Sequence, residues 1–361
     1  MLAARPDVRL LGMGGPRMAA AGVKVLVPCQ DVAVVGLTEV VSRGGDILRA
    51  FRCLVRALDR DRPALVVLID FPDFNIRLGR RACSRGIPVV YFIGPQVWAW
   101  RRGRLRVLRQ IVRKMLVIFP FEESLYREAG IDVTFVGHPL LDRLDGVPGR
   151  EEARRRLGIG GSERLVALLP GSRRGEVRLH LPLMLAAAGR LVGEAGPLTV
   201  VVAAAEDLPR AWVEGLLAGA PFPVRLVEGQ TYEVLRAADV SLIASGTATL
   251  EAALLGAPMV ITYRTSFLSY VLARLLVRVP FIGMANLVAG RGIAPELIQY
   301  DATPKRLAAA ARSVLEDPGA RDAMQAGFRE VRARLGEPGA PARAAREILG
   351  ILRVATAQGG C

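Results

Sequence analysis

Leu65-Val-Val-Leu-Ile-Asp70-Phe-Pro-Asp73-Phe-Asn75 opens as an unbroken apolar run, Leu65 to Ile69, and closes on two carboxylates and an amide. An unbroken run is how a strand buried on both faces of a parallel sheet reads, because helices cover both sides of such a sheet. Pro72 cannot donate to a ladder, so the chain turns at the carboxyl end of the strand. That is where open α/β sheets bind ligands. Asp70, Asp73 and Asn75 land on this turn, and Ile76 to Ser84 reads as the helix that follows. From these residues alone two readings stay open: a carboxylate base over a ligand cleft, or turn formers and helix caps.

The same pattern repeats outward in both directions. Upstream, Val8 to Leu11 reads as a strand entering Gly12-Met-Gly14-Gly15-Pro16, a Gly-rich turn that suits either a phosphate or merely a tight bend. Downstream, Pro88 to Ile93 leads into Gly94-Pro-Gln96-Val-Trp98-Ala-Trp100, Met115 to Phe119 is a strand, and Val133 to Val136 ends at Gly137-His138. A lone histidine is usually structural, but His138 again sits at a strand end. The second half restarts the alternation, with strands at Leu165–Leu169, Leu198–Ala203, Val224–Leu226, Val240–Ala244 and Pro258–Tyr263. Such alternation predicts an α/β fold with parallel, doubly wound sheets. Asp142 to Gly161 is rich in charge, Gly and Pro and reads as a linker with a short helix. The expected domains are 1–145, 162–335, and a C-terminal helix and tail over 336–361.

Composition narrows the function. The chain has 361 residues, enough for two domains, and is 52% hydrophobic, which excludes a disordered chain. Its formal net charge is +15; Lys24, Lys114 and Lys305 are lysines, and the other 46 of the 49 basic residues are arginine. A basic excess suits nucleic acid, an anionic membrane surface or phosphorylated substrates. Aromatics are only 6% and no zinc-finger, RRM or KH signature occurs, so no nucleic-acid partner is expected. Cys29, Cys53, Cys83 and Cys361 fit neither a metal site nor a disulfide framework, which predicts a reducing cytoplasm. The first residues carry no apolar signal-peptide core, and no run of about 18 apolar residues predicts a spanning helix.

Several stretches carry chemistry. Gly171-Ser172-Arg173 follows a strand and opens a helix, offering backbone N–H groups, a hydroxyl and a fixed cation to a diphosphate. Ser245-Gly246-Thr247 repeats that arrangement. Glu251 lies on the helix after it, as an acceptor for a ribose diol or as a favourable charge near a helix start. Ile47 to Leu58 has an apolar stripe and a basic stripe of Arg49, Arg52 and Arg56. Phe267 to Val279 is apolar, with Arg274 and Arg278 on one face. Each reads either as a packed helix or as an element lying on anionic lipid. Both diphosphate candidates fall in the second half; the carboxylate turn, Trp98, Trp100 and His138 fall in the first. That division predicts a GT-B glycosyltransferase, two Rossmann-like domains facing across a cleft. Asp70 and Asp73 are three apart and form no DxD pair, so neither a metal nor a cofactor is expected, and arginines and helix dipoles would stabilise the leaving diphosphate.

Ile69-Asp-Phe-Pro-Asp73-Phe-Asn75, Pro95-Gln-Val-Trp98-Ala-Trp100-Arg101, Phe119-Pro-Phe-Glu122, Gly137-His138, Leu169-Pro-Gly-Ser-Arg173, Ala244-Ser-Gly-Thr-Ala-Thr-Leu-Glu251 and Asn286-Leu-Val-Ala-Gly-Arg291 together resemble the lipid A disaccharide synthase family over nearly the whole chain. The resemblance implies a UDP-2,3-diacylglucosamine donor and a 2,3-diacylglucosamine 1-phosphate acceptor, joined with inversion to a β-1,6 disaccharide and UDP. It implies Asp73 as general base, Arg173 on the diphosphate, and Glu251 and Asn286 at nucleotide-contacting positions, with Asp70, Asn75, Trp98 and His138 as acceptor-side candidates. Acylated substrates imply a peripheral protein on the cytoplasmic face of the inner membrane; a homodimer is a further expectation. Family members open with a strand and a Gly-Glu-x-Ser-Gly-Asp loop, whereas this sequence starts with what reads as the second strand, and Arg43-Gly-Gly-Asp46 does not replace that loop. The first βα unit is therefore expected to be missing, leaving a chain that binds UDP but transfers sugar poorly or not at all. The alternatives are an inactive relic that binds UDP and membrane, or another GT-B enzyme acting on soluble UDP-sugars.

Overall fold

The computed structural model describes residues 1–32, 44–98, 103–193, 198–277 and 279–358. Arg43, Trp100, Arg101, Arg278 and Cys361, which figure in the sequence readings, lie outside the described residues. The chain divides into two compact units, one of residues 1–139 with 338–361, the other of 140–337.

In the first unit, β1 (Leu11–Gly14), α1 (Pro16–Ala20) and β2 (Lys24–Pro28) form a small βαβ with two parallel strands. Then come α2 (Gly44–Asp61), β3 (Val66–Ile69), α3 (Pro72–Cys83), β4 (Val89–Phe92), α4 (Arg104–Ile111), β5 (Lys114–Val117), α5 (Pro120–Glu128) and β6 (Val133–Phe135). Strands β3 to β6 make a parallel sheet in sequence order. Val89, Val90, Tyr91, Met115, Leu116 and Val117 are essentially inaccessible, as continuous apolar strands require when helices cover both faces.

Three sequence readings are corrected here. The Gly-rich stretch is mostly strand rather than turn: Gly12 to Gly14 lie within β1, paired with Val25 to Pro28, and Gly15 alone makes the step into α1. The apolar stripe of α2 packs inward, with Leu54 and Leu58 buried in the core and Ile47, Phe51 and Val55 against it. It is a core helix with a basic outer face, not one that lays its apolar side on lipid. The 336–361 segment is also no free appendage. Its helix, Ala340–Gln358, joins the first unit: Arg343 Nε donates to Val136 O at 2.8 Å and Lys114 pairs with Glu347 at 2.9 Å.

The second unit contains α6 (Leu140–Arg143), α7 (Arg150–Arg156), β7 (Arg164–Leu169), α8 (Arg174–Val192), β8 (Leu198–Ala204), α9 (Arg210–Leu217), β9 (Val224–Glu228), α10 (Thr231–Ala237), β10 (Val240–Ala244), α11 (Thr247–Leu254), β11 (Met259–Tyr263), α12 (Phe267–Leu276), α13 (Met284–Ala289), β12 (Glu296–Ile298), α14 (Pro304–Glu316) and α15 (Pro318–Arg334). Helix α16 is the returning Ala340–Gln358. All six strands are parallel, in the order β12-β11-β10-β7-β8-β9. The units therefore part at 139/140 rather than 145, and the stretch read as a linker is built into the second unit. Arg154 is buried and donates to Ala237 O at 3.2 Å and Gly160 O at 2.5 Å; the Asp239 carboxylate accepts from Arg150 and from the Leu165 N–H, both at 2.8 Å. Charge that looks solvated in sequence is here spent on a buried arginine and its acceptors. Among the described residues, no helix is long and apolar enough to cross a membrane.

Candidate functional site

The second unit's chain order reverses between neighbouring strands β7 and β10, one branch running out to β9 and the other to β12. Loops leaving the carboxyl ends of such a pair diverge and open a crevice. Strand β7 delivers Gly171-Ser172-Arg173 to that point and β10 delivers Ser245-Gly246-Thr247. Each turn opens directly onto a helix, α8 at Arg174 and α11 at Thr247, whose first N–H groups have no partner within the helix. Gly246 has φ 156° and ψ −163°, a region essentially reserved for glycine. Gly171 has φ 115°, and a Cβ there would lie 2.6 Å from Glu176 Oε2.

That contact discloses a residue the sequence reading passed over. The Glu176 carboxylate accepts from the Ser172 N–H at 3.3 Å and from Arg173 Nη1 at 3.2 Å. The donors assigned to an anion thus hold an anion of the protein itself. His180, fully buried, keeps this corner fixed: its Nδ1 lies 2.8 Å from Glu176 O and its Nε2 accepts from the Arg264 N–H at 2.8 Å. Burial pushes the pKa of His180 down, so the ring is neutral and carries its proton on Nδ1. In the second turn, Ser245 Oγ donates to Ile282 O at 2.8 Å, while Gly246 and Thr247 are exposed.

Glu251 lies one turn into α11 and accepts from the Tyr232 hydroxyl at 3.0 Å. Asn286 corrects its sequence assignment. It is fully buried; its Oδ1 accepts from the Ile293 and Ala294 N–H groups at 2.8 and 2.9 Å, and its Nδ2 donates to Ala294 O and Glu296 Oε1, both at 2.8 Å. An asparagine side chain has two donors and two acceptor positions. All four are used inside the protein, so the Asn286 side chain ties α13 to β12.

In the first unit the candidates line the carboxyl edge of β3 to β6. Asp70 and Phe71 both have φ 46°, and Ile93, after β4, has φ 59°. Left-handed geometry is costly for such residues and persists only where neighbours enforce it. Asn75 and Tyr91 supply the enforcement: Asn75 Nδ2 donates to Ile69 O at 3.0 Å and Asp70 O at 2.7 Å, and the Tyr91 hydroxyl donates to Asp70 O at 2.7 Å. Asn75 therefore holds the turn through its Nδ2. Asp70 and Asp73 are both exposed, and Asp73, in the first turn of α3, pairs with Arg104 of α4. Further along the edge, Trp98 Nε1 donates to Glu122 Oε1 at 3.1 Å, and the Trp98 ring meets Phe121 edge-on at 5.3 Å. Glu122 also accepts from the Phe119 N–H at 3.2 Å, and burial pushes its pKa up to about 7. His138 is buried, its ring 5.1 Å from that of Phe119, and burial lowers its pKa to about 4. The ring is thus a neutral part of the edge near pH 7.

The structure so brings Gly171, Ser172, Arg173, Ser245, Gly246 and Thr247 to one switch point. It places Asp70, Asp73, Trp98 and His138 along one sheet edge, and turns Asn75 and Asn286 into internal braces. Glu176, Tyr91, Arg104, Glu122 and Tyr232 are the partners the sequence did not announce. Of these, Glu122 had a signal, lying inside the Phe119-Pro-Phe-Glu122 motif.

The lipid-A-disaccharide synthetase family model matches residues 1–343. The lipid-A-disaccharide synthase of Syntrophus aciditrophicus (strain SB) is 47% identical over 354 residues, 98% of this chain and 92% of that protein. Among solved structures, the UDP-GlcNAc 2-epimerase of Neisseria meningitidis bound to UDP-GlcNAc matches with TM-score 0.62 at 14% identity, covering 95% of this chain and 100% of that one. The calicheamicin glycosyltransferase CalG4 matches with TM-score 0.60 at 19% identity, covering 97% and 92%. At these identities the two structures speak to the fold, the GT-B type of parallel α/β units that the strand pattern predicts.

Proposed function

The chain belongs to the lipid-A-disaccharide synthase family, and from that premise we propose that it is the inverting glycosyltransferase that joins UDP-2,3-diacylglucosamine to 2,3-diacylglucosamine 1-phosphate. The observation that carries the donor side is the meeting of two glycine turns at the β7/β10 switch point. The uridine diphosphate is held there by the N–H groups of the two helix starts and by Arg173, with Glu176 giving up its place to the incoming phosphates. Glu251 accepts from the ribose hydroxyls. On the acceptor side, the 6-hydroxyl oxygen attacks donor C1 as its proton passes to the Asp73 carboxylate. The bond from C1 to the diphosphate oxygen breaks, and UDP leaves with that electron pair. Arg173 and the fixed N–H dipoles stabilise the charge that develops on the leaving group. Arg104, paired with Asp73, keeps the carboxylate directed.

Both substrates carry acyl chains, so the enzyme works at a lipid surface, as a peripheral protein of the cytoplasmic membrane. Helix α12 supports this reading. Phe267 is 68% exposed, Leu272 54% and Leu275 73%, on a helix that buries none of its described side chains and carries Arg274. An apolar surface of this kind beside a cation suits an anionic interface. The deciding experiment supplies labelled donor and acceptor to the purified chain, with and without detergent. Labelled disaccharide and UDP in equal amounts are expected; hydrolysis or epimerisation of the donor without disaccharide would overturn the proposal.

A further inference from the structure

Tyr232 stands at the start of α10, after β9, with its hydroxyl 3.0 Å from Glu251 Oε1. It is the one hydrogen-bond partner of the Glu251 side chain among the described residues. The Arg143 guanidinium lies over the Tyr232 ring, 5.6 Å from its centroid. Three elements, α6, α10 and α11, thus meet at Tyr232, whose hydroxyl reaches the Glu251 carboxylate. A carboxylate on a helix surface has several rotamers open to it and loses entropy when a ligand selects one. One that already accepts from a fixed phenol is restricted before the ligand arrives, which lowers that cost. The phenol is a dependable donor, because burial first, and the neighbouring Glu251 charge second, push its pKa up to about 12. The stacked arginine fixes the plane of the ring and with it the direction of the O–H.

We propose that Tyr232, steadied by Arg143, is a positioning residue that presets Glu251 to recognise the two hydroxyls of a nucleotide ribose, and so sets the preference of the donor site for ribonucleotides. Oε1 is held by the phenol, and Oε2 and the remaining lone pair of Oε1 face the diol. The inference rests on the reading of Glu251 as the ribose acceptor. Tyr232 touches no reacting atom, and its effect passes entirely through the carboxylate.

The test measures binding of UDP and of 2′,3′-dideoxyuridine diphosphate to the full chain and to two variants, Tyr232→Phe and Glu251→Ala. Tyr232→Phe keeps the ring and its arginine and removes only the hydroxyl. The ratio of the two affinities is the readout, because a purely structural defect weakens both ligands alike. Tyr232→Phe is expected to cut the preference for UDP about threefold to tenfold, the scale of one oriented hydrogen bond. Glu251→Ala is expected to erase it. An unchanged ratio in Tyr232→Phe, with Glu251→Ala erasing it, overturns the positioning role and leaves the ribose reading intact. A ratio that rises in Tyr232→Phe means the phenol competes with ribose, and also overturns the proposal. Full preference surviving in Glu251→Ala overturns the ribose reading itself, and the role of Tyr232 with it.

Discussion

Single residues differ here in what they have left to give. Asp73 is exposed on a turn whose backbone is braced by Asn75 and Tyr91, so its carboxylate is presented to solvent and to a substrate. Replacing Asp73 with Ala should lower transfer about 10²–10⁴-fold, the usual worth of a general base, while UDP affinity stays as it was. Near wild-type turnover would remove Asp73 from the mechanism. Arg173 is largely exposed and shares the Glu176 carboxylate with the Ser172 N–H. Arg173→Ala should weaken UDP binding about tenfold to a hundredfold, the scale of a charge-assisted contact; equal affinity by calorimetry would place the diphosphate elsewhere. Asn286 has nothing left over. Asn286→Ala strands two buried N–H groups and should destabilise the second unit by about 2–4 kcal/mol, seen as a lowered denaturation midpoint. Unchanged stability with lost UDP binding would reverse that assignment.

Elements are decided by what they pack against. Helix α2 and helix α12 read alike in sequence, each an apolar stripe beside arginines. The stripe of α2 fills the core of the first unit, whereas α12 leaves its apolar side chains in the open. Exposed side chains contribute little to folding, usually within about 0.5 kcal/mol. The triple variant Leu272→Ser, Leu275→Ser, Arg274→Glu should therefore keep its melting temperature and lose co-sedimentation with anionic vesicles. The charge change alone alters attraction by about 1 kcal/mol for each basic residue at a charged surface. Undiminished sedimentation would assign α12 to another role. The C-terminal helices make a related point at one residue. A single Arg- and Ala-rich pattern over 304–335 is two helices, because Pro318 takes the first position of α15 and Asp317 caps it, accepting from the Gly319 and Ala320 N–H groups at 2.9 and 3.2 Å.

At the scale of the molecule, stability and pH are linked through two buried groups of the first unit. Glu122 is raised in the fold to about 7. The folded state therefore holds a proton that the unfolded chain releases at its lower ordinary value. Stability from this group is full below that ordinary value and falls as pH rises through about 7. His138, lowered to about 4, acts in the opposite sense. The unfolded chain takes up a proton first as pH falls below the ordinary histidine range, and stability drops until about pH 4. The two slopes oppose one another in the wild type. Glu122→Gln removes one of them, so the stability of the variant relative to wild type should improve from pH 5 to pH 8, by up to about 3 kcal/mol. Chemical denaturation of the first unit at several pH values checks this; a difference independent of pH would mean that Glu122 is ionised throughout.

What the sequence determined alone was local and repetitive. The strand runs could be read because a doubly covered parallel strand must be apolar at every position, and that needs no knowledge of its neighbours. The two glycine turns could be read because positive φ restricts the residue type at the turn itself. What only the tertiary structure decided was partnership. Whether an apolar stripe meets core or solvent, whether Asn286 meets a ligand or the Ile293–Glu296 segment, and which donors hold Glu251 and Glu122 all depend on groups brought together from separate parts of the chain. Hydrogen bonding at fixed geometry is blind to sequence distance: Arg343 and Val136 are 207 residues apart and 2.8 Å from donor to acceptor. No pattern of neighbouring residue types records such a contact, because the packing of α16 against the segment after β6 is a property of the folded chain.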